Sequence, residues 1–304
     1  MDSKPSRRDF LTASMALGAG LAGPGSGGAM PIAPTATSVL KKSLVIYMLP
    51  EKLSYRERFR LARDTGFDCV EAQTVTDPGV AEEIKKAADD AGVKIHSVMN
   101  MAHWEFPLTS TDPAVVTKSI EGMKTSLHNA KLWGAETVLL VPGVVSPQTR
   151  YQDAWTRSQR QIRRLIPLAS ELKVIIAVEE VWNKFLLSPL EFARYVDELK
   201  SPWVRAYLDV GNMVLYGYPQ DWIRTLGKRI VRVHLKDFKV KSKGFSPFMA
   251  EFVNLGDGDI DWPEVRKALA EIGYSGPVSC EVDPGDEAYL RDLNHRVDRL
   301  VLGL

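Results

Sequence analysis

The sequence predicts a single (β/α)8 barrel, and three observations predict it. From residue 41 onward, eight short apolar runs alternate with eight longer amphipathic stretches over roughly 260 residues. Start and stop signals bound the stretches. The segment after the first run reads "LPEKLSY", without the glycine-rich phosphate loop that an open doubly wound sheet, the alternative, usually carries there.

The strand-like runs are 43–49 (SLVIYML), 69–73 (CVEAQ), 94–100 (KIHSVMN), 137–142 (TVLLVP), 174–180 (VIIAVEE), 204–210 (VRAYLDV), 230–237 (IVRVHLKD) and 277–282 (PVSCEV). Helices are expected between them at about 54–65, 79–91, 113–133, 152–172, 189–199, 219–227, 262–272 and 286–302. Ser188-Pro189-Leu190-Glu191 offers a capping serine, proline at the first helical position and glutamate at the third. Asp112-Pro113 and Asp261-Trp262-Pro263-Glu264 follow the same logic, and glycines 66, 92, 134 and 273 stand where helices should stop.

Composition narrows the function classes. The 304 residues are 45% hydrophobic and 25% charged with net charge +1, values of an ordinary globular chain. Near-neutral charge gives no reason to expect nucleic acid or an anionic membrane surface as a partner. Cys69 and Cys280 lie inside apolar runs and are expected as buried free thiols rather than a disulfide.

Residues 1–36 are set apart from the barrel at 37–304. "SRRDFLTASMALGAGLAG" (6–23) places Arg7-Arg8 before a moderately apolar run, the twin-arginine export pattern. The run is too short to be a permanent bilayer-spanning helix. A Gly/Ser/Pro-rich stretch follows, with candidate cleavage sites near Ala29 or Ala36. This implies a periplasmic protein without a stable membrane anchor, exported already folded, as suits a chain that acquires a metal in the cytoplasm. A tail with a chance arginine pair is the alternative.

Barrel active sites sit at the C-terminal strand ends, and there the sequence places a set of ligands. The fifth run ends in Glu179 and Glu180, the sixth in Asp209, the seventh carries His234, and the eighth ends at Glu281. Three carboxylates and an imidazole suit Mn²⁺, Mg²⁺ or Co²⁺ better than a thiolate-rich zinc cage. Without a cation, converging acids would repel and raise one another's pKa. Glu179 and Glu180 point to opposite faces, and the strand pattern does not choose between them. Glu71, ending the second run, is either a site residue or a buried hydrogen-bonding group. His96 faces the mouth or packs inside the barrel, whereas His128 and His295 sit on helices. Asp237 is expected to orient a neighbour, and "NLGDGDIDW" (254–262) to combine turn chemistry with a substrate loop.

"VEEVWNKFLLSP", "YLDVGN", "VHLKDF" and "LGDGDIDWPEV…CEV" resemble the sugar phosphate isomerase/epimerase family, whose barrel is similar to that of xylose isomerase. The likeness runs from about residue 43 to the end. It implies one divalent cation, Mn²⁺ foremost, held by Glu179, Asp209, His234 and Glu281, with Asn183 beside the substrate. "AHWEFPLTSTDP" (102–113) resembles the hexulose phosphate isomerase and ribulose phosphate epimerase sub-groups, which makes His103 and Trp104 substrate-facing. Relatives acting on free ketoses often have histidine three residues after the ligand aspartate and an arginine downstream of the ligand histidine. Here Asn212 takes the first position, and Lys236, Lys239 and Lys241 are available for the second. Glu71, Asn212 and Lys236 join the expected substrate contacts.

The chemistry implied is proton abstraction next to a carbonyl through a cis-enediolate, Glu179 removing a proton and Glu281 returning one. Return to the same carbon epimerises a sugar; return to the adjacent carbon interconverts aldose and ketose. A small-molecule sugar is thus the expected partner, and a homo-oligomer is left open. Two rivals differ in class. A DNA repair endonuclease on a related barrel needs more histidines than the five present, and a basic excess. A non-catalytic carbohydrate-binding protein would not need both Glu179 and Glu281.

The leader makes the first prediction. A reporter fused to residues 1–40 should be exported, and Arg7→Lys with Arg8→Lys should block it; a reporter retained in the cytoplasm by the unaltered leader removes the export reading.

Overall fold

The computed structural model describes residues 40–240 and 250–304. The segment expected to be an export leader, residues 1–36, and Lys241 lie outside the described residues. Among the described residues a closed parallel barrel runs in the order β1-β10-β7-β6-β5-β4-β3-β2. Its strands are β1 (Lys41–Val45), β2 (Cys69–Gln73), β3 (Lys94–Met99), β4 (Thr137–Leu140), β5 (Ile175–Glu179), β6 (Val204–Asp209), β7 (Ile230–Leu235) and β10 (Pro277–Cys280). The antiparallel pair β8 (Asp237–Val240) and β9 (Ala250–Val253) stands apart, a hairpin between β7 and its helix. Periodicity did not reveal that pair, because each strand is four residues long and β8 begins at the end of the seventh run.

The helices fall where the signals put them. They are α1 (Tyr55–Asp64), α2 (Pro78–Ala91), α4 (Pro113–Trp133), α5 (Tyr151–Leu172), α6 (Pro189–Glu198), α7 (Pro219–Leu226), α8 (Trp262–Glu271) and α9 (Glu287–Val297), plus a single extra turn, α3 (Ala102–Glu105). Ser188 accepts from Glu191 N and Asp112 from Ala114 N, satisfying amide donors that a helix start leaves free. Gly92 and Gly134 close α2 and α4 in the left-handed conformation, with φ of 68° and 72°, at no cost in Cβ strain. No helix among the described residues is long and apolar enough to cross a membrane.

Two cores hold the barrel. The larger lies between strands and helices and includes Leu44, Val70, Val138, Val178 and Leu208. The smaller fills the interior with Val45, Met99, Leu139, Val141, Ala177 and Tyr207. Cys69 and Cys280 are buried free thiols. His96 packs inside the barrel, its Nε2 2.9 Å from both Ser43 Oγ and Ser279 Oγ. His128 and His295 are exposed on helices.

Asp237 organises the connection beyond β9. Its fully buried carboxylate accepts from the backbone of Phe238, Gly256 and Ile260 and from Trp262 Nε1, at 2.7–3.4 Å. A Cβ on Gly258 would stand 2.1 Å from Asp237 Oδ1, so the "GDGD" turn wraps tightly around this acid. Its role is the orienting one, as expected. Asp237→Ala strands several buried donors and should cost about 2–4 kcal/mol, read as a lower urea midpoint; an unchanged midpoint contradicts the role.

Candidate active site at the barrel mouth

The strand ends converge as parallel register requires. Asp209 pairs with His234 across β6 and β7, and Glu179 with Tyr207 across β5 and β6. Glu179, Asp209, His234 and Glu281 each bring one ligand atom to a cluster in which all four lie within 4.8 Å of one another. Glu179, not Glu180, enters it. One divalent cation at ligand distances of about 2.0–2.4 Å can bridge such a spread. Asp209 Oδ1 accepts from Gly211 N at 2.7 Å and Asn212 N at 3.1 Å. Its Oδ2, like Glu281 Oε2, is buried with no aligned hydrogen-bond donor. Lys236 Nζ lies 2.8 Å from each of these oxygens, an ionic contact without hydrogen-bond direction. The residues therefore fit a cation.

The turn after β6 allows no side chain. A Cβ on Gly211 would meet Lys236 Cβ at 2.7 Å, so "DVGN" keeps Asp209 and Lys236 adjacent. His234 Nδ1 is 2.9 Å from Glu179 Oε1 and 2.7 Å from Glu281 Oε2. In the protein without a cation, burial pushes Glu179 upward against the opposing charge of His234. Burial acts the same way on Glu281, but His234 and Lys236 outweigh it and hold that carboxyl well below its usual range. Burial, with Glu179 and Asp209 nearby, raises Glu180 well above the carboxylate range. Neither Glu180 oxygen has a hydrogen-bond partner.

The remaining expected site residues divide. His103 is buried, its Nδ1 accepting from Val141 N at 3.2 Å while Nε2 is unpartnered. Burial pushes its pKa down to about 3, which keeps the ring neutral with a spare Nε2–H donor. Trp104 sits edge-on to it at 4.5 Å and is 58% exposed on the rim. Asn183 is engaged elsewhere: Nδ2 donates to Gly143 O and Oδ1 accepts from Phe185 N. It clamps the loops after β4 and β5. Asn212 likewise donates to Glu180 O and accepts from Trp182 Nε1 through its backbone oxygen. Glu71 lies fully buried inside the barrel, bonded to His234, Ser97 and Tyr207. That is the buried hydrogen-bonding alternative.

Sequence reasoning missed the wall of the adjoining cavity. About 400 Å³ open beside Glu281 and Lys236, lined also by Tyr47, Phe252, Asn254 and Asp283. Tyr47 follows β1, and the first run's C-terminal end was the signal that could have found it. Phe252, on the unforeseen β9, stacks on Trp182 at 4.7 Å.

Residues 59–297 match the family model described as xylose isomerase-like TIM barrel. The chain belongs to that family. Among curated members, L-ribulose-5-phosphate 3-epimerase UlaE of Salmonella typhimurium is 28% identical over 245 residues, covering 77% of this chain and 84% of that one. Two solved structures show the same fold. The 3-keto-D-glucoside 4-epimerase of E. coli superposes with a TM-score of 0.70 at 16% identity, covering 84% of this chain and 98% of that one. A D-tagatose 3-epimerase-like protein gives 0.72 at 19% identity, with 86% and 98% covered.

Proposed function

We propose that this chain is a divalent-metal-dependent sugar epimerase or aldose–ketose isomerase acting on an unphosphorylated ketose or keto-sugar outside the inner membrane. The observation that carries it is the convergence of Glu179, Asp209, His234 and Glu281 within 4.8 Å beside a 400 Å³ cavity. Those four residues would hold the cation, which supplies positive charge where negative charge develops on the sugar. Sugar epimerases among the relatives support the same class.

The chain's own residues move the protons. Glu179 takes the proton from the carbon next to the carbonyl, and the released electron pair passes into the C–C–O system. Glu281, held ionised in the free protein, takes a proton from solvent and passes it to the opposite face, which epimerises that carbon, or to the former carbonyl carbon, whose oxygen takes the hydroxyl proton of the deprotonated carbon as the sugar isomerises. The two exchange roles when the reaction reverses. His103 Nε2–H and Tyr47 are the free polar groups available to sugar hydroxyls, and Trp104 and Trp182 wall the entrance. The strand-end setting and the cavity make turnover a better reading than simple carbohydrate binding.

The cavity lining favours a neutral substrate. Among its described residues Lys236 is the basic one, and it is tied to Asp209 and Glu281 while Asp283 adds negative charge. A phosphate dianion finds no free cationic partner among those described residues, which agrees with an enzyme led by Arg7-Arg8 working where sugar phosphates are scarce.

Glu281→Gln keeps an oxygen ligand but cannot carry the proton. It should retain about one metal ion per chain, while exchange of substrate hydrogen with solvent deuterium falls roughly 10²–10⁴-fold. Asp209→Ala and His234→Ala should lose metal by elemental analysis; full occupancy in both would remove the ligand set. In a matched sugar pair assayed with Mn²⁺, the unphosphorylated member should be turned over with the higher kcat/KM. A clear preference for the phosphate ester overturns the neutral-substrate reading.

A further inference from the structure

Beneath the ligand cluster the barrel interior departs from the branched apolar filling usual for this fold. Glu71, Ser97 and Tyr207 form one polar layer, and Ser43, His96 and Ser279 form another below it, each at most 1% exposed. Three donors converge on Glu71. His234 Nε2 lies 2.6 Å from Oε2, Tyr207 Oη donates to Oε2 at 2.9 Å, and Ser97 Oγ donates to Oε1 at 2.9 Å. The Tyr207 ring also packs against the imidazole, centroids 4.3 Å apart.

The backbone is shaped for this contact. Among the described strand pairings, the two register shifts fall between Val70 and Glu71 and between Ala206 and Tyr207. Such irregularities re-aim side chains next to functional sites. Stability does not account for the arrangement, because replacing a buried ionic cluster by well-packed apolar residues is often neutral or favourable. An acceptor-only carboxylate at 2.6 Å requires the proton on Nε2. Nδ1 is then the nitrogen turned toward Glu179 and Glu281.

We propose that Glu71 is a positioning residue: held by Tyr207 and Ser97, it fixes the His234 ring and its Nε2–H so that Nδ1 faces the ligand carboxylates. The consequence for metal affinity rests on the cation reading given above. Partners of this kind are typically worth 10–100-fold in affinity for the ion.

Two measurements test it on the full chain. Mn²⁺ titrated into metal-stripped protein should bind Glu71→Gln about 10–100-fold more weakly than wild type. Tyr207→Phe should weaken binding in the same direction by less, with both variants folded by circular dichroism. In metal-free, ¹⁵N-histidine-labelled protein, the Nε2–H resonance of His234 should be protected from exchange and should move in Glu71→Gln. Wild-type Mn²⁺ affinity in a folded Glu71→Gln overturns the inference. If wild type itself binds no Mn²⁺, the cation reading falls and the resonance alone decides: a shift sustains the positioning role, and an unmoved signal ends it. Should Glu71→Gln not fold, Tyr207→Phe decides by the same two readouts.

Discussion

Three carboxylates crowded into one buried cluster set the terms for the rest of the molecule. Two like charges about 4 Å apart repel by about 4 kcal/mol at the effective dielectric of a protein, and Glu179, Asp209 and Glu281 each bring an oxygen within 4.8 Å of the others. That repulsion approaches the whole stability of an ordinary domain. The structure answers it with His234 between Glu179 and Glu281 and with Lys236 between Asp209 and Glu281. The divalent cation proposed above would be the stronger answer. An acid cluster of this kind is tolerable only in a fold that delivers compensating charge to the same point.

The barrel delivers it because strand ends are rigid and closely spaced. β5, β6, β7 and β10 are consecutive neighbours in the closed sheet, so four adjacent backbones present their ligands side by side. The loops beyond them are tied to one another rather than left free. Asn183 joins the turns after β4 and β5, Trp182 and Asn212 join those after β5 and β6, and Asp237 gathers the segment leading to α8. Asn183 and Asn212 thus each bind backbone groups of neighbouring loops.

The interior beneath the mouth is part of the same solution. A polar column from His96 through Ser279 and Tyr207 to Glu71 reaches His234 from below. Its members are saturated by one another, apart from His96 Nδ1, and a satisfied buried network resists rearrangement. Rigidity below and charge above meet at one imidazole.

The sequence by itself determined the alternation of strands and helices, the helix boundaries marked by Ser188-Pro189 or Gly92, and the strand ends that carry Glu179, Asp209, His234 and Glu281. Those features are local: periodicity, capping and the end of an apolar run are written in consecutive residues. Four matters were decided only by tertiary structure. Glu179 rather than Glu180 enters the cluster, because the barrel fixes which face of β5 is interior. Glu71 lies under His234 although 163 residues separate them. Asn183 and Asn212 turn to the backbone of neighbouring loops, and Phe252 reaches Trp182 on a hairpin that lengthens the seventh run. Each depends on the direction of a side chain across a closed sheet, and one residue of register reverses that direction.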